Sequence, residues 1–160
     1  MITVSEIFEV TYGVNLELNA LAQDPNGINF VSRSAQNNGV SARVQLIPGV
    51  EPIPQGTISV AGGGSVMESF LQVEPYYSGR DLYYLNPLIN LSDQEKLYYC
   101  ACLRANKYRF NYGRQANRTL KDLEIPSPKE IPNWVNRCAY EVHSEFVQKL
   151  RSIEEPFKIK

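Results

Sequence analysis

The chain has 160 residues, enough for one domain with a real core, and its 43% apolar and 21% charged composition is that of a globular protein, not a disordered one. No apolar run approaches the roughly 18 residues of a membrane span, and the N-terminus MITVSEIFEV lacks the basic-then-apolar order of a secretory signal. The net charge is −1, yet the seven basic residues from Lys96 to Lys121 have no acidic residue among them, so removing those seven leaves −8 on the rest.

In chain order, Val4 to Phe8 reads as a short helical turn leading into a strand near Glu9–Tyr12, which Gly13 ends. Asp24-Pro25-Asn26-Gly27 is turn chemistry and predicts a loop. Ile28–Ser32 reads as a strand and Asn37-Asn38-Gly39 as the tight turn after it. Residues 48–56 carry three prolines and two glycines and predict a loop. Thr57–Ala61, Phe70–Val73 and Leu82–Leu85 read as short strands. Ser92 and Glu95 fit a capping box, so a helix should run from there to about Ala105. Its Leu97, Tyr98, Cys100, Ala101, Cys102 and Leu103 are apolar nearly all round, which predicts a helix covered on several sides. Ile125 to Pro132 reads as an extended connection. A last helix spans about Trp134 to Ser152, with Val135, Cys138, Ala139, Val142, Phe146 and Leu150 on one face. That stripe could pack on its own domain, the reading placed first, or supply a seam to another chain. The tail EEPFKIK is expected to be loose.

Catalytic chemistry is sparse. His143 is the one histidine and stands beside the apolar stripe of the last helix, where a surface or partly packed role is expected. Cys100 and Cys102 have no second ligand pair near them, and Cys138 with His143 does not complete a usual zinc spacing. The three cysteines read as buried thiols in a reducing cytoplasm. The glycines after Ala61 lack the lysine of a phosphate-binding loop and read as a plain turn.

The segment NKYRFNYGRQANRTLKDLE, residues 106–124, carries the candidate contacts for an anionic partner, nucleic acid first. Arg114 could donate two bonds to a guanine edge, or brace its own loop by bonding backbone carbonyls. Gln115 and Asn117 could read adenine. Lys107, Arg109, Arg118 and Lys121 suit phosphates, which position a protein without carrying sequence information. Tyr108, Phe110 and Tyr112 alternate as strand residues do, facing the core or bases. Arg33 could reach DNA or pair with an acidic neighbour.

Several stretches together resemble the target recognition domain of type I restriction-modification specificity subunits, and related domains of type II enzymes that join cutting and methylation. They are Phe8-Glu9-Val10-Thr11-Tyr12-Gly13, then Phe30-Val31-Ser32-Arg33-Ser34 with Asn37-Asn38-Gly39-Val40. Ile58 to Ala61 with Gly64-Ser65-Val66 follows, then Tyr77-Ser78-Gly79-Arg80-Asp81-Leu82. Tyr112-Gly113-Arg114 and Leu120-Lys121-Asp122-Leu123-Glu124-Ile125-Pro126 complete the pattern, which covers about residues 8–128. The resemblance implies a non-catalytic reader of double-stranded DNA that binds one half of a split target and holds methyltransferase and restriction partners. It adds Ser34, Asn37 and Asn38 to the candidate DNA contacts, beside Arg33 and the basic segment. The usual specificity subunit has two such domains separated by long paired helices, whereas this chain has one domain and one C-terminal helix. It could be a half-subunit that forms a homodimer through that helix, a single-site reader, or a domain of a larger enzyme.

The expected fold is therefore α+β, a mixed or antiparallel twisted sheet around a central helix. Residues 1–130 would form the recognition domain and 131–160 the C-terminal helix and tail. No cofactor is expected, and the expected place of action is the cytoplasm. A protein-interaction module on the same scaffold, or a small enzyme with a carboxylate pair, are the rival readings.

Overall fold

The computed structural model describes residues 1–110 and 116–154. Strand β1 (Ile2–Thr3) opens the chain, and the helical turn α1 (Val4–Ile7) follows with a Thr3/Glu6 capping box. Strand β2 (Phe8–Tyr12) comes next, then β3 (Gln23–Val31), β4 (Val40–Val44), β5 (Ile58–Ala61), β6 (Ser69–Leu71), β7 (Tyr76–Ser78) and β8 (Leu82–Pro87). Helix α2 (Asp93–Ala105), strand β9 (Glu124–Ile125) and helix α3 (Trp134–Glu154) complete the elements. One antiparallel sheet has the order β2-β8-β5-β6. A second has the order β4-β3-β7, with β4 antiparallel and β7 parallel to β3. A two-stranded ribbon joins β1 to β9. The expected mixed α+β architecture with a C-terminal helix is the one found.

Strand β8 shows why two sheets can share one interior. Its side chains alternate between faces, as the two-residue period of a strand requires. Tyr83 and Leu85 face the core under α2, while Leu82 and Tyr84 face the core shared with β3 and β7. Strand β5 is buried along its whole length, with Ile58 and Val60 in the α2 core. Ser59 Oγ accepts a bond from Gln72 Nε2 at 2.9 Å, so its buried hydroxyl has a partner.

Helix α2 starts at the expected capping box: the Glu95 N–H donates to Ser92 Oγ (3.2 Å), and the Ser92 N–H donates to Glu95 Oε2 (2.8 Å). It packs against β6, β9 and α3, and one stripe of it stays uncovered. Tyr99, Cys100 and Leu103 are buried, with the Tyr99 ring 5.5 Å edge-on from Phe8, but Leu97 is 54% exposed. Leu97 lies six residues before Leu103, on the side of the helix turned away from the sheet. The hydrophobicity of α2 is thus wider than its contact.

Four further expectations are corrected. The Asp24 to Gly27 cluster does not end β3; it forms a bulge inside it, because Gln23 and Ile28 both pair with Val44. Asn26 N–H bonds Asp24 Oδ1 across the bulge, and a Cβ on Gly27 would collide with the Val44 carbonyl. Lys107–Arg109 is a 3₁₀ turn, not an alternating strand, leaving Tyr108 exposed and Phe110 against the core. Residues 125–132 hold β9 and a 3₁₀ turn, Pro128–Glu130, under a Ser127/Glu130 capping box. Of the cysteines only Cys100 is buried, its thiol pushed up to about 12 by desolvation; Cys102 and Cys138 are partly exposed. The tail from 155 onward lies outside the described residues.

Helix α3 is fastened at its first turn. Val135 is buried, Trp134 meets Tyr98 edge-on at 6.4 Å, and Asn136 joins Ser92 (2.7 Å) and Glu95 (3.0 Å). Beyond that turn the stripe does not pack on its own domain: Val142 is 68% and Phe146 59% exposed, and Leu150 is exposed too. The Asn136 amide, followed by the Ser92 N–H, holds the Glu95 carboxyl below the usual carboxylate range. A carboxyl lowered by folding contributes stability that is complete above its unfolded pKa and is lost as pH falls through the folded one. Glu95→Gln should therefore flatten the acid limb of the stability curve below about pH 4.5, measured by urea melts with Trp134 as the optical probe. An unchanged limb would mean that this network does not hold α3 to α2.

Candidate nucleic-acid interface

The two stretches that carry the expected contacts, 33–38 and 107–121, are distant in sequence but meet at one structure, the loop joining β5 to β6. Arg33 leaves the end of β3 and donates from Nη1 to Asp81 Oδ2 at 2.9 Å. Gly63 and Gly64 lie against its side chain: a Cβ on Gly63 would stand 3.1 Å from Arg33 Nη1. On the other side of the loop, the Ala116 N–H donates to the Gly62 carbonyl at 3.1 Å. Glu68, near the loop's end, pairs with Lys107 Nζ at 2.9 Å. Arg104 donates to the Ser69 carbonyl at 2.8 Å and stands over the Phe70 ring.

The turn after β3 is held from inside. Asn37 and Asn38 both adopt left-handed backbone (φ 49° and 55°), which asparagine tolerates better than most residues. Asn38 Nδ2 donates to the Leu71 carbonyl (3.0 Å) and Gln72 Nε2 donates to the Asn38 carbonyl (2.9 Å), tying the turn to the end of β6. Asn37 Nδ2 donates to the Val40 carbonyl (2.9 Å), and its side chain remains exposed. Ser34 Oγ accepts from the Gln36 N–H at 3.1 Å.

The basic candidates divide. Lys107 is paired, and Arg109 lies on its neighbour, Nε 3.2 Å from the Tyr108 hydroxyl. Arg118 and Lys121 are exposed and have no ion-pair partner among the described residues. With Val10, Tyr83 and Leu120 they line an open hollow of about 410 Å³. Tyr83 meets Tyr12 edge-on at 5.1 Å, so the hollow has an aromatic wall beside two cations. Partial burial, then Tyr12 and Asp81, push the Tyr83 hydroxyl's pKa up, which keeps it a neutral hydroxyl at neutral pH. Tyr112, Arg114 and Gln115 lie outside the described residues, as does the side chain of Asn117.

Sequence reasoning missed Asp81 and Arg80. Arg80 is exposed, with no ion-pair partner among the described residues. The signal was the adjacent Arg-Asp pair after Gly79, which spacing alone could not connect to Arg33. A separate hollow of about 550 Å³ is lined by Asp24, Arg43 and Glu74 among others. Its two carboxylates are committed, Asp24 to the Asn26 N–H and Glu74 to Arg43 and Asn29. His143 is exposed on α3, and among the described residues no three His, Cys, Asp or Glu side chains gather closely enough to hold a metal ion. Nor, among them, is any helix long and apolar enough to cross a membrane.

The family model described as type I restriction modification DNA specificity domain matches residues 1–133. The chain belongs to that family. The specificity domain is 24% identical over 139 residues to the specificity subunit S.BcgI of a type II restriction enzyme from Heyndrickxia coagulans, covering 82% of this chain and 39% of that protein. Its fold is similar to a type I S subunit from M. genitalium (TM-score 0.60, 18% identity) and an HsdS subunit from Thermoanaerobacter tengcongensis (0.63, 16%). It is also similar to a chain solved in work on assembly and conformational transition of the type I restriction-modification system (0.64, 16%). Each likeness covers 97% of this chain, and between 39% and 40% of the other. The specificity domain thus spans about two-fifths of the relatives it matches.

Proposed function

We propose that this specificity domain reads double-stranded DNA as the recognition component of a restriction-modification system, and that methyltransferase and restriction partners supply the catalysis. The observation that carries the reading is the hollow bearing Arg118 and Lys121. These are two exposed cations without acidic partners among the described residues, next to the loop where the candidate segments meet. Cations so placed capture the phosphate backbone and release its counterions. Base discrimination then falls to polar side chains: Asn37 and Arg80, and Arg114, Gln115 and Asn117 as the residue types of the basic segment suggest. Residues 1–130 do the reading in the cytoplasm, without a cofactor of their own.

The exposed stripe of α3, in residues 131–160, supports a second role. It is the seam for another helix, either in a second copy of this chain or in a partner subunit. A two-part target needs two such readers, since one domain spans one half-site. The interaction-module alternative draws on the same stripe, and differs only in denying a role to the basic hollow.

Selection from a random duplex pool tests the reading, with affinity followed against salt for winning and scrambled duplexes. An enriched half-site whose preference persists as salt weakens both complexes supports it. Binding that is equal for all sequences, or absent while α3 still captures a partner helix, favours the interaction module.

A further inference from the structure

Asp81 stands where three segments converge and uses a different group on each. Its N–H donates to the Tyr12 hydroxyl at 2.8 Å, at the end of β2. Its carbonyl accepts from the Gly62 N–H at 2.8 Å, at the start of the β5–β6 loop. Its carboxylate holds Arg33 at 2.9 Å. It does this at φ 54°, a left-handed backbone uncommon outside glycine that aspartate, like asparagine, tolerates better than most residues. Backbone of that kind persists where the surroundings over-determine it. Gly62 passes the restraint on, because its carbonyl takes the N–H of Ala116, the residue that follows Gln115 and precedes Asn117 and Arg118.

Arg33 is badly placed to serve DNA directly. Its guanidinium already pairs with Asp81, and the pair is two-thirds or more covered, with side-chain exposures of 32% and 23%. Turning Arg33 to a phosphate would leave the Asp81 carboxylate facing the same phosphates unpaired, and like charges at that range repel. We infer that Arg33 and Asp81 are positioning residues. The pair clamps the Gly62–Gly64 loop and, through the Gly62–Ala116 bond, sets where the basic segment sits, while Arg33 itself does not touch DNA. The inference about recognition rests on the DNA-reading function proposed above; the clamp is a claim about the protein alone.

The test uses the full chain with Asp81→Asn, Arg33→Ala, Arg33→Lys and the Arg33→Ala/Asp81→Asn double variant. Binding is measured to the selected and scrambled duplexes over a salt series, and amide hydrogen exchange at Gly62 and Ala116 is measured without DNA. Each single neutralising variant should cut the preference for the selected duplex about tenfold, and the double should lose no more than either, the signature of coupled neighbours. The salt slope should stay at its wild-type value, Arg33→Lys should recover part of the preference, and both amides should exchange about tenfold faster in Asp81→Asn. A direct phosphate contact predicts the opposite: Asp81→Asn tightens binding to both duplexes and Arg33→Ala lowers the slope by about 0.9. Either result overturns the inference. The exchange arm keeps the two proposals apart. Faster exchange in a protein whose wild type prefers no duplex supports the clamp and sinks the DNA-reading proposal; unchanged exchange sinks the clamp whatever the DNA data show. Asp81→Asn and Arg33→Lys retain most of the local bonding and carry the test if Arg33→Ala does not fold.

Discussion

Replacing Arg118 and Lys121 together by alanine should weaken DNA binding on the order of 100-fold at moderate salt, if each gives one charge-assisted bond to a phosphate worth about 1.5 kcal/mol. The loss should be nearly the same for selected and scrambled duplexes, because phosphate contacts carry no sequence information. The log–log salt slope should fall by about 2, close to one unit for each lost contact. Lys129→Ala/Lys149→Ala is the matched control: both lysines are exposed, lie away from the hollow and remove the same charge. The control should shift affinity only slightly. Equal losses in the two double variants would mean that binding responds to overall charge and that the hollow is no interface. Neither pair supports the core, so thermal unfolding should be nearly unchanged in both.

The second large effect concerns stability. Leu103→Ala should cost about 2–5 kcal/mol, since Leu103 is fully buried between α2 and the sheet and its loss leaves a cavity among Tyr99, Cys100 and the strands. Leu97→Ala, on the same helix and with the same atoms removed, should cost no more than about 0.5 kcal/mol. Alanine is the better helix former, so propensity slightly favours the replacement at both sites. Denaturant unfolding measures the contrast directly. A large loss at Leu97 would mean that the outer face of α2 is covered, as the apolar sequence of the helix first suggests.

What could be read from the sequence was local. The Ser92/Glu95 box and the span of α2 were legible because capping is decided within four residues. Strands β2, β5 and β8 were legible because their apolar patterns are bounded by glycine or proline. The charge-rich segment was found from composition, but its effective charge was not. Folding pairs Lys107 with Glu68 and turns Arg104 to the Ser69 carbonyl, while among the described residues Arg118 and Lys121 stay exposed beside the hollow. Strand β7 was missed because three residues are too few to show a period, and nothing local marks Tyr76 and Tyr77 as buried. Both are fully buried, and their hydroxyls bond Thr57 and the loop residues Ile47 and Val50. The Arg33–Asp81 pair was out of reach because its partners become neighbours only once β3 pairs with β7, far along the chain. Turn chemistry misled at Asp24 to Gly27, where the residues that form turns also form a bulge.

The parallel register of β3 with β7 carries a consequence for how the chain folds. Pairing Asn29 with Tyr76 closes a long loop that already contains β4, β5 and β6. Closures between distant residues must lose chain entropy before any contact repays it, and they slow folding. The loops that form the candidate interface flank this closure: 32–39 follows β3, 62–68 lies within the closed loop, and 79–81 follows β7. Each hairpin can form early on its own, but the surface they build together exists only after the slowest pairing is made. A partly folded chain therefore offers the basic segment without its frame. It would hold nucleic acid by charge alone and discriminate only when the last strand has docked.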